Sequence, residues 1–62
     1  MKKNILIVDD FENTLFVTGF TLEQAGYNAI KADSGKKALG ILKSTQPIDL
    51  IITDFNIKTN LF

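Results

Sequence analysis

The chain has 62 residues, 45% of them hydrophobic, and its seven basic and seven acidic residues cancel. These values predict one small globular domain rather than a disordered chain, and the balanced charge disfavours nucleic acid and anionic membranes as partners. Because cysteine and histidine are absent, disulfide frameworks and Cys/His zinc sites are excluded. The apolar runs are too short for a membrane span or a signal peptide, so we expect a cytoplasmic protein.

The first half of the chain predicts a strand, a helix and a second strand. Residues 4–9 form an apolar strand that ends in two adjacent acids, Asp9 and Asp10. A helix is predicted over 11–25, and Gly26 is expected to end it in the left-handed conformation. The residues at 28–32 alternate in polarity as an edge strand does. The buried stripe of the helix is predicted to be Leu15, Gly19 and Leu22, with Phe16 and Phe20 at its border inside the core and Phe11 exposed.

The second half predicts a second helix and a third strand. Asp33 or Ser34 is expected to cap the helix, which runs to about residue 44 and buries Ala38, Leu39, Ile41 and Leu42. Lys36 and Lys37 are expected on its solvated face. A loop at Gln46-Pro47 leads into the apolar run 48–54, which ends in a third acid, Asp54.

Together these elements predict a β-α-β-α-β unit with parallel strands. Asp9, Asp10 and Asp54 then meet at the carboxyl edge of the sheet, where open α/β sheets bind ligands. Three carboxylates in one place repel one another unless a cation joins them. The pattern therefore favours a divalent-metal site beside a carboxylate that accepts a phosphoryl group, and Mg²⁺ suits such an all-oxygen site. No Gly-rich loop, catalytic triad or Asp-x-Asp pair supports another phosphate or hydrolase chemistry.

Four stretches in order, at 5–11, 22–27, 32–39 and 48–56, resemble the receiver domain of response regulators, most closely the chemotaxis type. The resemblance covers residues 3–56 and implies a flavodoxin-like doubly wound sheet with strand order 2-1-3. It implies a two-component signalling domain rather than an enzyme, with a histidine kinase as its partner. By resemblance, Asp54 accepts the phosphoryl group, and Asp9, Asp10, Asp54 and the backbone carbonyl of Asn56 bind Mg²⁺.

Simpler interpretations remain open for these residues. Asp54 is also compatible with a cap on a turn at a strand end. One of Asp9 and Asp10 is also compatible with a cap on the following helix, since acids are favoured near a helix N-terminus. Both roles are compatible with metal binding, and adjacent acids after a buried strand exceed what a cap requires.

The resemblance implies that a complete receiver is about twice this length, with five strands and five helices. Residues 1–62 are therefore predicted to form a truncated receiver, about the first half. The family's Ser or Thr after the fourth strand and Lys after the fifth have no match, so we expect weak Mg²⁺ binding and impaired phosphorylation. The third strand, with Ile48, Leu50, Ile51 and Ile52, then becomes an unprotected edge, which predicts a homodimer formed by edge pairing or by exchange of an element.

Three functions follow from the sequence. The first is a signalling receiver phosphorylated on Asp54. The second is an interaction module that dimerises or docks on another receiver without phosphotransfer. The third is an engineered or proteolytic folding fragment, which the unmatched residues after Asn56 make plausible. Metal-dependent phosphorylation separates the first from the other two.

Overall fold

The computed structural model describes residues 2–53. It contains five elements: β1 (Asn4–Val8), α1 (Glu12–Gln24), β2 (Asn28–Ala32), α2 (Gly35–Lys43) and β3 (Leu50–Thr53). The strands form one parallel sheet in the order β2-β1-β3. The flavodoxin-like β-α-β-α-β architecture and the strand order predicted from the sequence are confirmed.

The core of the described chain is the central strand β1. Its residues Ile5, Leu6, Ile7 and Val8 are all buried, because β1 has a strand on each side and a helix over each face. Leu6 and Val8 form a cluster with Ala32 and Ala38, against which Ile30, Ile41 and Ile48 pack. Ile5 instead lines a groove with Leu22 at the end of α1. The side chains of successive β1 residues therefore lie on opposite faces of the sheet.

The predicted end of α1 is confirmed at Gly26, which has a φ of +94°. The Gly26 amide donates to the Glu23 carbonyl and the Tyr27 amide to the Leu22 carbonyl, each at 3.0 Å. These two bonds form a Schellman motif, which satisfies carbonyls that the helix leaves without partners. The chain then turns directly into β2 at Asn28.

The aromatic side of α1 differs from the prediction. Leu15 and Gly19 are buried, but Phe16 and Phe20 are 65% and 57% exposed, so their placement in the core was wrong. Each of them follows a buried residue by one position, and this rotates the side chain about 100° round the helix, away from the sheet. Their rings stack with centroids 6.4 Å apart. Phe11 is exposed, as predicted.

Helix α2 begins as predicted and buries less than predicted. The Ser34 hydroxyl accepts the Lys37 amide at 3.2 Å, which makes Ser34 the N-cap. Ala38 is buried, and Leu39 and Ile41 are half-buried. Leu42 was expected in the core but is 41% exposed, because it lies beside β3, on the uncovered side of the sheet.

Strand β3 is shorter than predicted and all four of its residues are exposed. Its ladder with β1 runs from Ile5–Leu50 to Val8–Thr53, while Ile48 lies before the strand, half-buried against the core. Both helices lie over β1 and β2, which leaves the two faces of β3 largely uncovered. Within residues 2–53 no helix is both long and apolar enough to cross a membrane.

Candidate functional site

The carboxyl ends of the three strands meet at one edge of the sheet. Val8, the last residue of β1, is paired with Ala32 on one side and with Thr53 on the other. The residues that follow these three positions are Asp9, Asp33 and Asp54. The register therefore brings the ends of all three strands to the edge where parallel sheets bind ligands.

Asp9 is the only buried polar or charged residue in the described chain, with 5% of its surface exposed. Its amide donates to the Ala32 carbonyl at 3.1 Å, which extends the ladder between β1 and β2 by one residue. Its carboxylate oxygen Oδ1 accepts the Phe11 amide at 2.9 Å. Among residues 2–53 no hydrogen bond to the other oxygen, Oδ2, is found. The bond to Oδ1 thus fixes the side chain, and among the described residues no buried side-chain oxygen or nitrogen lacks a hydrogen-bond partner.

The turn that Asp9 closes is not a side-chain cap of α1. Phe11 occupies the N-cap position, and its own side chain has no polar atom to offer. Asp9 instead binds the amide of the cap residue, two positions along the chain, as in an Asx turn. The interpretation of Asp9 as a cap of α1 is therefore wrong, because its carboxylate binds the amide of the N-cap residue and not an amide within the helix.

The other predicted ligands fall into two groups. Asp10 is exposed at the same edge, next to Asp9. Asp54 and Asn56 lie outside the described residues. Within residues 2–53 no three acidic, histidine or cysteine side chains form a metal site among themselves. The described part of the chain therefore supplies two of the predicted acids, and both offer the oxygen ligands that Mg²⁺ prefers.

The sequence reasoning missed the pairing of Asp33 with Lys37. These side chains form an ion pair at 3.2 Å, largely exposed on both sides. Both line a hollow of about 480 Å³ between the start of α1, the end of β2 and the start of α2, together with Glu12, Asn13, Leu15, Phe16 and Lys31. The sequence signal that could have indicated this ion pair is the spacing of four residues between the opposite charges. The Asp33 carboxylate is thus already paired with Lys37, although an ion pair this exposed is weak.

Comparison with known proteins gives consistent results. The family profile described as "Response regulator receiver domain" matches residues 5–60. The chain is 41% identical over 54 residues to the alkaline phosphatase synthesis transcriptional regulatory protein PhoP of Bacillus subtilis, a match that covers 87% of this chain and 22% of PhoP. It is 36% identical over 56 residues to the CAI-1 autoinducer sensor kinase/phosphatase CqsS of Vibrio cholerae, which covers 90% of this chain and 8% of CqsS.

The chain thus spans less than a quarter of the length of these relatives. No solved structure gives a significant match. The family profile nonetheless covers most of the chain, and the parallel sheet in the order β2-β1-β3 is that of a receiver. The chain therefore belongs to the response regulator receiver domain family of two-component signal transduction.

Proposed function

We propose that this chain accepts a phosphoryl group on Asp54, at a Mg²⁺ site formed by Asp9, Asp10, Asp54 and the backbone carbonyl of Asn56. The observation that carries the proposal is the buried Asp9 at the carboxyl edge, with Oδ1 bound to the Phe11 amide. A carboxylate in so buried a residue is costly to keep charged unless it is paired, and a cation bound at this edge would supply that pairing. Thr53 ends β3 beside Val8, and Asp54 is the next residue in the chain.

The proposed reaction is transfer between a phosphohistidine and a carboxylate. An oxygen of Asp54 forms a bond to phosphorus while the bond from phosphorus to the imidazole nitrogen breaks, and the imidazole leaves with the electron pair. The products are an acyl phosphate on Asp54 and a histidine that takes a proton from water. Bound Mg²⁺ supplies the positive charge that offsets repulsion between the two anions. Asp9 and Asp10 hold that charge at the edge of the sheet, and the Asp9–Phe11 bond orients one of them.

Phosphorylation is best tested with a small phosphoryl donor, because the cognate kinase is unknown. Incubation with acetyl phosphate and Mg²⁺ should add one phosphoryl group, observed in the intact mass and lost on treatment with hydroxylamine. Asp54→Asn should abolish the product, while Asp33→Asn is the matched control at the same edge. Equal labelling of wild type and Asp54→Asn would refute the assignment.

Metal binding has its own test. Titration with Mg²⁺ should shift the amide resonances of Asp9 and Asp10 in an NMR spectrum, and Ca²⁺ or Mn²⁺ should compete, since the ligands are oxygen atoms. Asp10→Asn should weaken the effect. If no Mg²⁺-dependent shift occurs at Asp9 or Asp10 in the folded chain, the metal site is refuted whatever the result for phosphorylation.

In this proposal a histidine kinase donates the phosphoryl group. The chain then acts in the cytoplasm, as a signalling domain and not as an enzyme. The support is the family, together with the likeness to CqsS, a protein named as a sensor kinase/phosphatase. The kinase is expected to present its phosphohistidine to the carboxyl edge. Exposed groups that surround this edge, such as Phe11 and Asp10, are then in reach of the kinase.

A second candidate function is self-association through β3, which the exposure of Leu50, Ile51 and Ile52 favours. In the described chain β3 pairs with β1 alone, and a bare ladder of hydrogen-bonding groups is a template for another strand. Sedimentation over a range of concentrations should detect a homodimer. Ile51→Lys should give a monomer or an unfolded chain. A folded dimer of Ile51→Lys would show that β3 does not form the dimer interface.

A further inference from the structure

We draw no further inference here: the strongest candidate, the exposed patch that Phe16 and Phe20 form on α1 beside the β2 edge of the sheet, is an unpartnered apolar face, and nothing in the structure of residues 2–53 shows what covers it.

Discussion

Asn4 and Asp49 are joined by two hydrogen bonds at the end of the sheet opposite the candidate site. The Asn4 amide donates to Oδ2 of Asp49 at 2.7 Å, and the Asp49 amide donates to the Asn4 carbonyl at 2.8 Å. The Asn4 side chain extends the link in both directions, since its Nδ2 donates to the Pro47 carbonyl and its Oδ1 accepts from Asn28. Asn4 therefore ties all three strands together where each begins.

This link predicts that Asn4→Asp destabilises the fold. An aspartate at position 4 still accepts from Asn28 but cannot donate to Pro47, and it adds a negative charge beside Asp49. We expect a loss of about 1–2 kcal/mol in the free energy of unfolding, measured with urea. Lys2→Ala, at an exposed neighbouring position, should change stability little. If Asn4→Asp is as stable as wild type, the side-chain bonds of Asn4 do not contribute to folding.

Replacement of Gly26 and of Gly40 by alanine should have opposite effects on the free energy of unfolding. At Gly26 the space for a methyl group is free, but the φ of +94° is unfavourable for alanine, so Gly26→Ala should cost about 1–2 kcal/mol. Gly40 lies inside α2 with no atom near its missing Cβ, so Gly40→Ala should stabilise by about 0.5–1 kcal/mol. Urea midpoints of the two variants, compared with wild type, test both. Equal destabilisation by both would contradict this account of the Schellman turn.

Burial on α1 predicts which residues on that helix stabilise the fold. Leu15→Ala should destabilise by about 2–4 kcal/mol because it opens a cavity under the helix. Phe20→Ala should cost less than about 1 kcal/mol, since the ring is exposed and loses mainly its stacking on Phe16. Thermal melts at equal concentration measure both. A loss for Phe20→Ala as large as that for Leu15→Ala would mean that the ring is covered in solution.

The same contrast shows what the sequence can predict. The caps at Ser34 and Gly26 and the burial of β1 follow from local signals, namely turn residues and continuous apolar runs, whereas the strand order came from the resemblance to receivers. The exposure of Phe16, Phe20 and Leu42 does not, because it depends on where the covered part of the sheet ends. Helix periodicity gives an apolar stripe, but in α1 apolar residues lie on both sides of it. At the site, the sequence predicted the position of Asp9 but not the bond from Oδ1 to the Phe11 amide.

Substitutions of Asp9 should separate its contribution to folding stability from its contribution to Mg²⁺ binding. Asp9→Asn keeps an oxygen for the Phe11 amide and removes a buried charge beside Asp10, so its stability without metal should equal or exceed that of wild type. Asp9→Ala loses the bond to Phe11 and should be about 1 kcal/mol less stable than Asp9→Asn. At Mg²⁺ concentrations ten times the dissociation constant, wild type should gain about 1.4 kcal/mol. Neither variant should share this gain in urea titrations with and without Mg²⁺. A full Mg²⁺ response in Asp9→Asn would remove Asp9 from the ligand set, while equal stability of the two variants would show that the turn bond contributes nothing.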